Sequence, residues 1–287
     1  MVTSAVQPAP NGDLPIIGLR NVVGDVAVPL THWSLGGALA DTVEDDADRP
    51  SSWAHDTLLG YRTRPDPGTA SALWFLVTTV GGARAGDLII IGNHNLGTVG
   101  ATVEVQISND PAFGTFTTIW TATPSSDARL VVLLFLHWTD VDYIRLRITA
   151  AANFTPEVGE FYFGSRLQLE HYPNLPWDDA AVGWDGSTMV TKGGQTLRWT
   201  QAAGFQLAQL QLSVSSDAET LALRSWWRGC QRGSLPSWWL WFPTSNPAQA
   251  ALMSPTNPAL FTLPLLGPVE RGLQLPLREE PPFFEEE

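Results

Sequence analysis

The feature that most constrains this chain is a train of short apolar or alternating runs between residues 73 and 163. Thr102–Ser108 (TVEVQIS) places Val103, Val105 and Ile107 on one face and Glu104 and Gln106 on the other. Tyr143–Ile148 alternates in the same way and puts Arg145 and Arg147 on the wet face. A period of two belongs to a half-buried strand, not to a helix. Leu73–Thr79, Asp87–Gly92, Phe116–Thr121, Leu130–Leu136 and Glu160–Phe163 continue the series. Turn residues separate them, as at Asn93-His94-Asn95-Leu96-Gly97, where His94 can hydrogen-bond the loop closed. Many short strands between turns predict a sandwich or jelly roll. The fold class is mainly β: an N-terminal jelly-roll β-sandwich, then a second β domain carrying one α-helix.

Residues 1–30 are rich in Pro, Gly and Val and read as an extended N-terminal arm. Residues 31–172 form the jelly roll. Pro, Asp and Gly cluster over 171–186 and mark a boundary or long crossing loop. Residues 187–280 form the second β domain, with strands at Thr196–Trp199, Phe205–Val214, Ser237–Phe242, Leu260–Leu266 and Gly272–Arg278. Its helix covers 217–231. Ser216-Asp217-Ala218-Glu219 is a capping box, and Leu223, Trp226, Trp227 and Cys230 fall on one apolar stripe. Gly229 and Gly233 supply the stop. Residues 281–287 end the chain as an acidic tail containing Phe283 and Phe284.

Composition excludes several classes. The 287 residues carry a net charge of −13, with Lys192 the single lysine. No basic patch is present, which argues against nucleic acid and against an anionic membrane surface. The longest apolar stretch, Leu130–Trp138, is too short to span a bilayer. No signal peptide is visible at Met1–Ala5, so synthesis in a reducing cytoplasm is expected. The lone Cys230 excludes an intrachain disulfide and reads as a small buried hydrophobe.

Little points to catalysis, so no enzyme is expected. His32, His55, His94, His137 and His171 are scattered, with no HExxH and no paired ligands for zinc. No GxSxG elbow occurs. Asp41, Glu44, Asp45, Asp46 and Asp48 read first as a solvated acidic loop. They also offer the oxygen ligands Ca²⁺ prefers, so Ca²⁺, with Asp41, Asp45, Asp46 and Asp48 as ligands, is the one cofactor considered. Thirteen tryptophans are many for one chain. Adjacent pairs such as Trp226/Trp227 and Trp238/Trp239 cannot both face one core. One of each pair should face a second layer or another subunit. With Phe283 and Phe284 they are the candidate subunit interface.

The order IIIGNHNLG (89–97), ATVEVQIS (101–108), YIRLRI (143–148) and FYFG (161–164) resembles the galactose-binding-like, discoidin-type jelly rolls of tailed-phage structural proteins. The elements at 205–214, 217–231, 236–242 and 273–280 are similar in order to the carboxy-terminal part of the same proteins. The resemblance implies a distal-tail-like component of a tail tip or baseplate, resident in the virion tail. Its implied partners are tail-tube and hub or baseplate proteins, further copies of itself, and a host-surface glycan. Loop position makes Trp53 and His55 the candidate sugar-binding residues. The alternative is a free carbohydrate-binding module or lectin on the same jelly roll.

Overall fold

The computed structural model describes residues 3–6, 13–19, 21–23, 31–40, 42–55, 62–66, 68–69, 71–127, 129–172, 182–190, 196–214, 216–230, 235–245, 247, 250–256 and 271–279. The chain is mainly β. In order it forms β1 (Thr3–Val6), β2 (Ile16–Gly18), β3 (Thr31–Ser34), a 3₁₀ turn at Ser51–His55, β4 (Ser71–His94), β5 (Thr102–Ser108), β6 (Thr117–Ala122), β7 (Leu130–Phe154), β8 (Val158–Gly164) and β9 (Arg166–Gln168). Then follow β10 (Val182–Val190), β11 (Thr196–Val214), α1 (Asp217–Gly229), β12 (Ser237–Leu240), β13 (Ala251–Pro255) and β14 (Arg271–Glu279).

The first sheet runs β3-β4-β7-β5-β6, with β1 on β7 and β8 on β4. Four separate runs expected from sequence are two continuous strands here. Leu73–Thr79 and Asp87–Gly92 fuse into β4; Leu130–Leu136 and Tyr143–Thr149 fuse into β7. The β4–β7 register shifts between Thr79 and Leu88, where irregular pairing of the bulge kind interrupts the ladder. The alternation at Val103, Val105, Ile107 and at Ile144, Leu146, Ile148 points all six inward, each fully buried. Trp33 and Trp74 meet edge to face at 6.4 Å among them. Each indole N–H has an acceptor: Thr63 Oγ1 at 3.1 Å for Trp33 and the Phe154 carbonyl at 2.8 Å for Trp74.

The second sheet runs β10-β11-β14-β13-β12-β2-β9. Two of its strands come from outside the expected 187–280 span. Residues 16–18 lie in the sheet between β12 and β9, not in a free arm. β9 leaves the jelly roll to become its far edge. β13 was not expected from sequence, and the strand expected at Leu260–Leu266 lies outside the described residues, as does the 281–287 tail.

The sheet is the middle of three layers. Along β12, Trp238 and Leu240 face the jelly roll, where they pack with Leu88, Ile90 and Tyr162. Trp239 faces the other way and packs with Leu223, Trp226, Trp227 and Cys230 of the helix region. This is the period of two that adjacent tryptophans demand. It meets the expectation of a second layer for Trp238 and Trp239; Trp226 and Trp227, about 100° apart on a helix, instead both pack in one core, which corrects the expectation for that pair. Trp226, Trp227, Trp238 and Trp239 are 0–8% exposed, so the expected subunit interface is corrected at these four. They are core side chains, and contact with a neighbour would require opening that core.

The helix begins where the capping box put it, but half of the box is used differently. The Ser216 hydroxyl accepts the Glu219 N–H at 3.0 Å. The Glu219 carboxylate reaches not Ser216 but the backbone N–H of Glu170, also at 3.0 Å. It thereby ties α1 to the end of β9.

Candidate ligand-binding site

The site is built where β5 and β6 join, through Asn109–Phe116. The loop closes on itself by short polar bonds. The Asp110 carboxylate accepts the N–H groups of Ala112 and Gly114, each at 2.9 Å. The Ser108 hydroxyl lies 2.6 Å from the Thr115 carbonyl and accepts the Asp110 N–H at 2.8 Å. Asn109 Oδ1 accepts the Asp142 N–H at 3.3 Å, which fastens the loop to β7. Asx-type closure of this kind is what Asn and Asp provide in turns.

Two phenylalanines of the loop take opposite roles. Phe113 turns inward, 4% exposed, on a backbone with φ of +51°. A bulky residue seldom adopts that conformation, and the buried ring holds it there. Phe116 turns outward and is 49% exposed. Between them lies Arg145, which the alternation of β7 had assigned to the wet face. It is 5% exposed instead, because residues 35–39 fold back over it. The Leu39 N–H reaches the Pro111 carbonyl at 2.8 Å.

The Arg145 guanidinium stacks on three rings, at 4.7 Å from Phe75, 4.1 Å from Phe113 and 4.9 Å from Phe116. Its Nε donates to Gln106 Oε1 at 2.7 Å and its Nη1 to the Gly37 carbonyl at 2.6 Å. Gly37 has φ of +82°, and a Cβ there would stand 2.6 Å from Arg145 Nη1. Burial, with Arg147 nearby, lowers the Arg145 pKa to about 10, so the group stays charged at neutral pH. A buried charge persists only when hydrogen bonds and polarisable neighbours compensate it, and here carbonyl oxygens and ring faces do so.

Phe116 is therefore a ring held firmly from behind with its other side toward solvent. It lines a cavity of about 350 Å³ together with Ile107, Ser108, Asn109, Asp110, Thr115 and Thr117. That volume suits a small ligand. An aromatic face beside amide, carboxylate and hydroxyl groups can take a molecule that has both C–H surface and hydroxyls. The lining contains neither histidine nor cysteine.

The residues singled out from sequence lie elsewhere. Trp53 and His55 are on the 3₁₀ turn at Ser51–His55, with their side chains outside the described residues. Asp41, Phe283 and Phe284 are likewise outside them. Asp45 accepts the Ser51 N–H at 2.8 Å. Asp46 accepts the Asp48 N–H at 3.0 Å and pairs with Arg64, and these contacts lower its pKa. Asp48 is exposed. Two of the four acids proposed for Ca²⁺ are thus engaged by the protein. Among the described residues no three His, Cys, Asp or Glu side chains gather as a metal site. Cys230 is buried, which pushes its thiol up to about 12 and makes it inert at neutral pH. His94 closes its turn as expected, with Nδ1 accepting the Leu96 N–H at 3.2 Å.

Phe113, Phe116 and Arg145 were missed as site residues. The one available signal was two phenylalanines inside a loop of turn residues (NDPAFGTF, 109–116).

No protein-family model and no characterised protein sequence matches the chain. Several solved structures are similar in strand layout over about half of it. A Ruminococcus gnavus GH29 fucosidase in complex with fucose is 12% identical with a TM-score of 0.38, over 52% of this chain and 27% of that one. The family 32 carbohydrate-binding module of C. perfringens NanJ, in complex with galactose, is 16% identical with a TM-score of 0.34, over 48% and 93%. Chitosan-binding module 1 of a Paenibacillus sp. IK-5 chitosanase/glucanase is 15% identical with a TM-score of 0.36, over 51% and 98%. The match thus spans about a quarter of the fucosidase. At these scores the fold described above rests on the chain's own strand register.

Proposed function

We propose that this is a non-enzymatic carbohydrate-binding protein, with the cleft beside Phe116 as its sugar site and the second β domain as its mount. One observation carries the reading: an outward aromatic ring, backed by Arg145, forms a wall of a polar cavity. Sugars have apolar C–H faces that pack on such rings and hydroxyls that bond to groups like Asn109, Asp110 and Thr115. A glycan array followed by titration calorimetry tests it. Phe116→Ala should weaken binding by about tenfold, roughly 1.4 kcal/mol, with an unchanged melting temperature. Binding that ignores this substitution, or no binding to any glycan, removes the reading.

A specific observation favours a second, compatible role in assembly at a phage tail tip or baseplate, as the motif order implies. β10 and the first half of β11 form a ribbon beyond the main sheet, and β10 pairs only with β11 among the described residues. Among the described residues nothing pairs with the outer edge of this nine-residue strand, which has no Pro or Lys, and such an edge can take a strand from another subunit. In that setting the partners are further copies and neighbouring tail proteins, the location is the virion tail, and the glycan is on the host surface. Mass photometry and negative-stain microscopy test this, and a chain that stays monomeric alone and joins no tail particle refutes it.

A further inference from the structure

Among the described residues the most exposed large apolar side chain lies on α1. Leu221 is 64% exposed, against 49% for Phe116. Leu223, Trp226 and Trp227 turn to the sheet, which leaves Ala218, Leu221, Arg224, Ser225 and Arg228 on the outer face. Arg224 and Arg228 are four residues apart, so their guanidiniums are neighbours and repel each other.

The chain leaves these two charges unanswered. Among the described residues neither arginine has a hydrogen bond or an ion pair. By contrast Arg64, Arg129, Arg147 and Arg166 each pair with a carboxylate. No acidic residue occurs from Thr220 to Pro236. Asp217 is about 10 Å away along the helix from Arg224, and Glu219 is turned to the Glu170 N–H. The helix dipole favours Arg228 in the last turn, but it does not account for the bare leucine beside the arginines.

β14 ends within reach of this face. Glu279 is opposite Met253, and Met253 is opposite Ser237. Cys230, just past the helix, shares a hydrogen bond with the Ser237 hydroxyl. Two strand spacings, about 10 Å, thus separate the end of β14 from the C-terminal end of α1. The Glu279 carboxylate is already taken by Arg129. The sequence continues over 280–287 as EPPFFEEE, outside the described residues. This segment has four glutamates, no basic residue and two adjacent phenylalanines. Pro281 and Pro282 have no N–H to extend the ladder. Eight extended residues reach about 26 Å, against about 20 Å for the whole of α1. The match is twofold: acids for two arginines, and rings for an exposed leucine. A tether this short keeps the segment concentrated beside its own helix, which favours it over the same segment of a second copy.

We propose that residues 280–287 dock on the outer face of α1 in the same chain, with Phe283 and Phe284 over Leu221 and the glutamates at Arg224 and Arg228. Docked there, the segment closes that face and withholds both rings from other subunits until a neighbour displaces it.

Two measurements on the full chain test this. In the wild type, nuclear Overhauser effects should connect the Leu221 methyls to the Phe283 or Phe284 ring, a readout that needs no variant to fold. In Leu221→Cys/Phe284→Cys, mild oxidation should form an intrachain disulfide, read by peptide mass mapping. Cys230 does not compete, since it is buried with its thiol pushed up to about 12. Thr118→Cys/Phe284→Cys, with one thiol exposed on β6 of the jelly roll, sets the background rate. Adding Arg224→Glu/Arg228→Glu should slow the linkage about tenfold at low salt. Adding Glu285→Arg/Glu286→Arg to that chain should restore it. Absence of the Overhauser contacts, or linkage no faster than background, overturns the proposal. Linkage mainly between copies also overturns it, because a second chain would then be the occupant. So does linkage indifferent to the charge reversal, because the arginines would then hold nothing.

Discussion

The two β domains use aromatic side chains in opposite ways. In the second, Trp226, Trp227, Trp238, Trp239 and Trp241 are all buried, and they close the sheet on the helix at one face and on the jelly roll at the other. In the jelly roll, Trp33 and Trp74 are equally buried, yet Phe116, on a loop, stands half out of the protein. Aromatic density therefore marks where this chain is held together, and an isolated ring on a polar loop marks where it is open to solvent. The difference follows from strand geometry. Rings on successive positions of a paired strand have two faces to fill, and both faces of β12 are covered. A ring just before the edge strand β6 has cover on one side only, from Arg145.

The strongest attempt to break this contrast is Trp239→Ala. The indole is fully buried, 5.6 Å from Trp226 edge to face and 5.4 Å from Trp241. Removing it leaves a large cavity in the middle layer and should cost about 3–5 kcal/mol in urea unfolding. Sugar affinity per folded molecule should not change. A loss below about 1 kcal/mol would show that the second core does not depend on its indoles.

Arg145→Met comes next, because it joins the two uses. It leaves the Gly37 carbonyl and Gln106 Oε1 without their donor inside the protein, which should cost about 1–3 kcal/mol. It also removes the backing of Phe116, so affinity should fall together with stability. Full affinity in a destabilised Arg145→Met chain would mean that the ring needs no support from behind.

How much of this was legible in the sequence divides along the same line. Val103, Val105 and Ile107 announced their face because period two is a local property, and the Asn-His-Asn turn announced itself by residue type. The helix was legible through its cap, Ser216, and its apolar stripe. β2 was not, since three residues carry no periodicity, and Ile16–Gly18 become a strand only through pairing with β12 and β9. Arg145 was misread for the converse reason. Its place in the alternation is outward, as expected, but residues 35–39 cover that outer face, and no local pattern encodes such a cover. The site shares this fate: Phe116 read as the first residue of a strand, and only its neighbours in space make it a platform.

Phe116→Ala sharpens the contrast from the other side. A ring half in solvent contributes little to folding, so the stability change should stay within about 0.5 kcal/mol. Affinity alone should move. Trp239→Ala and Phe116→Ala thus form a double dissociation, measurable as unfolding free energy against dissociation constant. A stability loss for Phe116→Ala comparable to that of Arg145→Met would place the ring in the core of the loop and undo its assignment as a ligand wall.

The smallest expected effect concerns Glu219, a polar group inside the otherwise apolar seam of the second domain. Its Oε1 accepts the Glu170 N–H. Burial raises its pKa above the usual 4.5, and that hydrogen bond only partly opposes the shift. The folded state therefore holds the Glu219 proton more tightly than the unfolded state does. Stability from this group is fully present below 4.5 and is lost as pH rises through the folded-state value, after which the penalty is constant. Glu219→Gln keeps the acceptor and removes the titration. The variant should be more stable than the wild type at neutral pH by under about 1 kcal/mol, and the gap should close on acidification. Asp87, raised by burial in the same direction, stays in both proteins and cancels from the comparison. Parallel stability-against-pH curves for the two chains would mean that Glu219 is solvated in the folded state, and that the seam around the helix is more open than the buried indoles beside it imply.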